Sequence, residues 1–290
     1  MAIVLAKNYT GLLDEVYQKA SVTADLVTPP DLMRQGANAK EILYPKITVG
    51  GLGDYDRAAG YTSGAIDVAW GSAEFNYDRG TKIQVDVEDD QETFNVAFGR
   101  ASAELVRTKV APEGDAFTFA TLAGLLDISK VAAGVTYADG AEFLAALLAA
   151  WNEMDEDEVP AEERHLYATS TLLNSVMALD TTKSREILAK FAKAISVPQS
   201  RFYTSIDLLD GKSAGEEAGH YIKTPVTGKD INFMIIHKPA IIKFDKHVAS
   251  NVILPENNPD ADGYIVKYRK YGLVDGYENK RAGIYLSHKA

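Results

Sequence analysis

Alternation of apolar and polar positions is clearest between residues 64 and 87. Ile66, Val68 and Trp70 alternate with Ala65, Asp67 and Ala69. Phe75 and Tyr77 resume the period, and Ile83, Val85 and Val87 complete it. A period of two puts one set of side chains on each face of a strand. Gly71-Ser72 reads as a two-residue turn and Asp78-Arg79-Gly80 as a second. The pattern predicts a hairpin-rich excursion with at least one polar face. The period then changes. Glu88, Asp89, Asp90 and Glu92 place carboxylates at the positive end of a helix dipole. Phe94, Phe98, Ala101, Leu105 and Thr108 form one stripe. The spacing predicts a helix over 91–111, about 32 Å long at 1.5 Å per residue. Pro112 is expected to interrupt or kink it, with helical character resuming over 115–126.

A second amphipathic helix is predicted over 139–155. Asp139, with Glu142 three residues on, is a capping-box variant, and Leu144, Leu147, Leu148 and Trp151 share a face. Strand-like stretches follow at 165–169, 201–206, 232–237 and 241–244, and helix-like ones at 170–179 and 184–195. The tail carries strand patterns at 264–271 and 283–287, with the turn Asp275-Gly276 between them. Residues 1–40 read as an arm, with helical signal over 12–22 stopped by Thr28-Pro29-Pro30. An extended piece, 42–49, and the glycine-rich loop 50–55 come next. Strands and helices do not alternate strictly, so the fold class is α+β.

The chain has 290 residues, enough for about two domains or one large elaborated one. Cysteine is absent, which removes disulfides, thiol nucleophiles and thiolate metal sites together. The net charge is −11, a poor basis for a free-standing DNA binder because phosphate neutralisation dominates that affinity. An acidic protein can still enclose nucleic acid without gripping it. The longest apolar run, Phe143–Trp151, is nine residues, far below the ~18 of a membrane span. The start lacks a basic segment and a long apolar core, so a soluble, unexported protein is expected.

Chemical motifs fail at required positions. Gly51-x-Gly53 lacks a third glycine because Asp56 stands there, and Gly211-Lys212-Ser213 lacks the upstream glycine because Ile206 does. His165, His220, His237, His247 and His288 show no helical ligand spacing. Asn258, Asp260 and Asp262, followed by Gly263, copy the start of a calcium loop, but Arg269 occupies the closing Glu position. An ordinary turn explains the same letters better. The acidic run 153–163 reads as a solvated helix end. No catalytic residue, cofactor or metal is predicted.

The stretch Tyr77-Asp78-Arg79-Gly80, then Ile83, Val85, Asp86, Asp89, Asp90, Glu92 and Thr93, resembles the signature of tailed-bacteriophage major capsid proteins of the Hong Kong 97-like fold. Val106–Gly124 is similar to the later spine helix of that family, and 264–271 with 280–286 to its closing strands. The resemblance implies an N-arm at 1–40 and an extended β-hairpin loop at 57–88. It implies a peripheral domain with the spine helix at 41–56, 88–125 and 255–290, and an axial domain at 126–254. It implies a structural, non-enzymatic subunit forming hexamers and pentamers of an icosahedral head around double-stranded DNA. Assembly would take place in the host bacterial cytoplasm, with portal and scaffolding or decoration proteins as further partners and no membrane. Trp70, Phe75, Tyr77, Asp78, Arg79, Gly80 and Lys82 are the expected assembly interface. Trp70, Phe75 and Tyr77 are expected partly exposed in a lone subunit, and Arg79 at the turn tip suits a neighbour's carboxylate. Cross-linking through Lys82 is not predicted, since no Asn partner can be placed. An encapsulin-type nanocompartment shell shares the fold and is the alternative. A soluble enzyme with an acidic cleft at Asp155, Glu158 and Asp260 is the alternative from another class.

Overall fold

The computed structural model of the chain describes residues 21–28, 34–35, 40–58, 60–61, 64–88, 104–216, 220–259 and 261–290. The first strands are β1 (Arg34–Gln35), β2 (Glu41–Val49), β3 (Ile66–Glu74) and β4 (Tyr77–Asp86). A π turn at Val106–Val110 leads into α1 (Ala111–Ala123). Then come β5 (Lys130–Ala132), α2 (Gly140–Glu156), β6 (Arg164–Thr169), α3 (Ser170–Met177), α4 (Thr182–Ala189) and β7 (Lys193–Val197). The rest is β8 (Ile206–Leu208), β9 (Tyr221–Lys223), β10 (Ile231–His237), β11 (Ile241–Ile253), β12 (Gly263–Gly276) and β13 (Ile284–His288).

The core sits on both faces of a five-stranded mixed sheet, ordered β5-β13-β10-β6-β7. β6 and β10 are buried along their whole length, so they read as continuous apolar runs. Alternate residues go to opposite faces. Leu166, Ala168, Phe233 and Ile235 meet Phe143, Leu147, Trp151 and Met154 of α2. Tyr167, Met234, Ile236 and Leu286 meet Phe119 and Leu122 of α1, with Val22 and Leu26 from the N-terminal segment. α2 starts where its sequence says it should. The Asp139 carboxylate accepts from the Ala141 and Glu142 amides, and Glu142 accepts from the Ala138 amide. The closing strand β13 lies beside β10 and β5, within the sheet built mainly by 126–254.

A second sheet has the order β11-β12-β4, and a third the order β1-β2-β3. Several expectations change here. Neither Gly71-Ser72 nor Asp78-Arg79-Gly80 is a turn. Gly71 lies inside β3 because a Cβ there would come 2.5 Å from the Tyr44 ring, and Gly80 lies inside β4 because a Cβ would meet the Tyr268 carbonyl at 2.9 Å. β3 and β4 are not partners. β3 pairs with β2, and β4 with β12. Between them the Asn76 amide donates to the Val274 carbonyl (2.8 Å) and accepts from its N–H (3.1 Å), copying a ladder rung on β12.

Helical differences follow the same logic. Pro112 does not break its helix. The Ala111 amide reaches back to Val106, and this wide turn absorbs the proline, which has no N–H to give. The helix expected over 184–195 stops at Ala189, because 193–197 pairs in parallel with buried β6. The strand expected over 201–206 does not form: a 3-10 turn at Gln199–Arg201 turns Arg201 inward, Tyr203 makes an isolated bridge to Asp230, and β8 starts only at Ile206. Asp275-Gly276 ends β12 rather than forming the turn, and a 3-10 segment at Glu278–Gly283 follows. The helix start at 89–103 lies outside the described residues.

Candidate assembly interface

The seven expected interface residues divide between the inside and the outside of the subunit. Tyr77 is buried, and its hydroxyl donates to Glu113 of α1 at 3.0 Å. Burial beside that carboxylate pushes the phenol far above its ordinary pKa. Arg79 Nε donates to Glu113 at 2.8 Å, and its Nη2 to the Leu209 carbonyl at 2.7 Å. Tyr77 is therefore not an exposed anchor, and the carboxylate beside Arg79 belongs to its own chain. A nearly buried Glu113 needs both donors. Phe75 is half-buried, stacked on Tyr271 at 4.7 Å. Asp78 is exposed and accepts two bonds from Arg269, at 2.9 and 2.7 Å, which hold its carboxyl below the usual range. Gly80 sits against β12, Lys82 is exposed on the outer face of β4, and Trp70 is exposed on β3.

The excursion that leaves the subunit is the β2–β3 ribbon. Its register pairs Ile42 with Ala73, Tyr44 with Gly71, Lys46 with Ala69 and Thr48 with Asp67 on one face. Pro45–Trp70, Ile47–Val68 and Val49–Ile66 occupy the other. Near the body, Ile42, Tyr44 and Ala73 are buried against Ile242 and Leu273. Further out, that face turns polar and the opposite one turns apolar. There Ile47 is 60% exposed, Val49 67%, Ile66 71%, Val68 55% and Trp70 49%. The ribbon thus changes apolar face half-way along. Its proximal half is satisfied by its own subunit. Its distal half carries an apolar face that its own subunit leaves exposed. Beyond it, Leu52, Tyr55 and Tyr61 are also exposed, with Tyr55 and Tyr61 in ring contact at 4.9 Å. Sequence reasoning missed β2 as the partner of β3. The available signal was the alternation of 45, 47 and 49 with Lys46 and Thr48.

The other candidate chemistry resolves into structural contacts. Lys212 and Ser213 amides donate to the Asp210 carboxylate, so Gly211-Lys212-Ser213 is an Asx turn. Asp155 accepts from fully buried Arg164 at 2.7 Å, and Asp157 from Ser129. Glu158 is exposed, with a positive φ of 56°. Asn258 donates its amide to the Gly263 carbonyl at 2.8 Å, and Asp262 is exposed in the turn between β11 and β12. Asp260 lies outside the described residues. Among the described residues, no group of three or more His, Asp or Glu side chains converges on a point that could hold a metal. His165 and His237 are buried, and burial lowers both pKa values.

No family model and no curated protein matches the sequence. Solved structures do match. The capsid structure of cyanophage P-SCSP1u superposes with a TM-score of 0.67 at 14% identity, over 99% of this chain and 93% of that one. The mature capsid of bacteriophage PhiM1 gives 0.61 at 11%, over 98% and 91%. The capsid of Myoviridae phage XM1 gives 0.59 at 12%, over 100% and 99%. The fold is the Hong Kong 97-like capsid fold. The π turn and α1 occupy 106–123, and the stretch 57–88 holds β3 and β4, which pair with different strands.

Proposed function

We propose that the chain is the major capsid subunit of a tailed phage. It assembles into hexamers and pentamers that close an icosahedral head around double-stranded DNA, inside the host bacterium, and it performs no catalysis. The fold shared with phage capsids along nearly the whole chain supports this reading. The observation that carries it is the change of apolar face along the ribbon. An exposed apolar set of this size marks an interface. A second copy of the chain is the natural cover, because a closed shell offers each ribbon an equivalent neighbour. The reading keeps Trp70 as an anchor, with Asp78 and Lys82 on the outward face of β4. It takes residues 1–40 as the arm, 126–254 as the axial domain, and 41–56, 88–125 and 255–290 as the peripheral domain. Portal and scaffolding or decoration proteins are further partners. A net charge of −11 suits DNA that is contained rather than gripped.

The test is sedimentation and electron microscopy of the purified chain at near-physiological salt. Closed particles, or capsomers that convert to them, are expected. The double variant Ile47→Lys, Val68→Asp should abolish them while leaving the melting temperature of the lone chain nearly unchanged, because both side chains are exposed and face each other as an opposite-charge pair. A chain that stays monomeric or dimeric in all salt and crowding conditions would overturn the reading.

A further inference from the structure

We propose that the ribbon tip of one copy of the chain seats in a groove at the ribbon root of the next copy, head to tail. The inference rests on the capsid reading above and names the seat that reading leaves open. The groove lies between β2 and the 3-10 segments that follow β10 and β12, and it encloses about 570 Å³. A space of that size takes side chains rather than single waters, whose share is ~30 Å³. Its walls are mostly apolar, built from Val27, Tyr44, Pro45, Ile47, Pro239 and Tyr277. They are set before any partner arrives. The Tyr44 ring meets Tyr277 edge-on at 5.0 Å, the Tyr277 amide donates to the Ala240 carbonyl at 2.9 Å, and the Lys238 amide donates to the Glu163 carbonyl at 3.1 Å. Val27 and Ile47 stay exposed. Ile47 belongs both to the groove and to the exposed apolar face of the ribbon, so the two surfaces are continuous. Lys46, Lys238 and Lys280 line the groove against one carboxylate, Glu163. Even with Lys46 paired to Glu278 at 2.7 Å, cations outnumber carboxylates there, on a chain whose net charge is −11.

The tip carries the complementary pattern. Leu52, Tyr55 and Tyr61 are exposed, and Asp54 and Asp56 stand among them with Arg57 as the one cation of that loop. The tip is braced as well. Asp56 and Gly60 exchange amide-to-carbonyl bonds at 3.2 and 2.7 Å, and the Asp56 carboxylate accepts from the Ala58 amide at 2.6 Å. Tyr55 and Tyr61, on either side of this turn, touch ring to ring. An apolar knob flanked by carboxylates thus matches an apolar groove flanked by lysines, the core-and-rim anatomy of an interface. Bracing both before contact reduces what association costs in ordering.

A copy cannot fill its own groove. The β2–β3 ladder runs without a break from Glu41–Glu74 to Val49–Ile66, and the Gly50 amide adds a rung to the Ala65 carbonyl at 2.9 Å. This ladder carries the tip away from the root, with Leu52 on the order of 15 Å beyond Ile47 at about 3.3 Å per residue. Knob and groove are therefore separate patches on one chain, and their contact is heterologous. Successive copies join tip to root, and they close into a ring when the rotation between neighbours closes.

The chain has no cysteine, so introduced thiols can be linked only to one another. Leu52→Cys at the tip leaves the Tyr55–Tyr61 pair intact, and Asn279→Cys lies in the groove; both native side chains are exposed. Particles of the double variant are treated with a short bismaleimide and run on a denaturing gel, with electron microscopy of the same sample. A ladder of covalent dimers, trimers and higher rungs is expected, because each copy gives one thiol to the copy ahead and one to the copy behind. Each single variant should give nothing above a dimer. Particles without rungs above the dimer would overturn the seat and leave the capsid reading standing, whereas absence of both particles and ladder would overturn the two together. Should the double variant not assemble where the wild type does, a charge swap decides. Asp54→Lys and Lys280→Asp should each raise the protein concentration needed for assembly, by about threefold or more, and the two together should bring it back toward the wild-type value. Two losses that simply add in the combined variant would overturn the seat.

Discussion

Gly71 lies beneath the ring of Tyr44, with no room for a methyl group between them. Gly71→Ala should destabilise the subunit by about 1–3 kcal/mol in urea unfolding, and Tyr44→Leu in the same chain should recover part of that loss. Arg164 shows the same dependence on one side chain. Its buried guanidinium lies 4.3 Å from the Trp151 ring and donates to Asp155 and to the Trp151, Val159 and Pro160 carbonyls. Lys cannot copy that fork. His237 adds a pH term. Burial lowers its pKa, against Glu163, which raises it, and together with Arg164 and Lys280, which lower it further. The unfolded chain therefore binds more protons below pH 6.5. Stability should fall as pH drops from 7 to 5 in urea titrations, and His237→Phe should flatten that slope; an unchanged slope would assign it to other groups. The Gly71–Tyr44 contact and the groups around His237 join residues far apart in sequence, where no local pattern shows them. Asp139, whose partners are two and three residues away, was legible for the opposite reason.

At the scale of elements, local pattern found strands and missed their partners. Alternation in 66–74 and 77–86 is genuine, but a period of two looks the same whichever strand lies alongside. β4 pairs with β12, whose residues lie far along the chain, and β3 pairs back to β2. Reading 64–87 as a run of short hairpin strands put the expected turns on Gly71-Ser72 and Asp78-Arg79-Gly80, where glycine serves close packing instead. The end of α4 was lost in the same way. The helical period of 184–195 is overruled by the parallel ladder beside β6. The corrected pairing changes what protease should see. Free subunits should be cut between 50 and 65, where exposed Leu52 and Tyr55 lie, and should resist within 77–86. Assembled particles should resist at both. Cutting within 77–86 of free subunits would show that β4 is not held by β12 as described.

For the whole molecule, two long-range tendencies oppose one another. Each copy of the chain carries a net charge of −11, so copies repel. Each copy also carries an apolar ribbon face that gains by leaving water. Salt separates the two, because it screens the first and leaves the second nearly untouched. The screening length falls from about 30 Å at 0.01 M to about 8 Å at 0.15 M. If the ribbon drives association, the protein concentration needed for assembly should drop as sodium chloride rises over that range. Trp70→Ala should raise that concentration at every salt level, while lowering subunit melting little, since Trp70 is half exposed before assembly. An interface built from ion pairs such as Asp78 with Arg269, exchanged between copies, would behave in the opposite way. Salt would then weaken assembly, and Trp70→Ala would leave it unchanged. Light scattering across a salt series, run on the wild type and on Trp70→Ala, decides between an apolar ribbon seat and an electrostatic one.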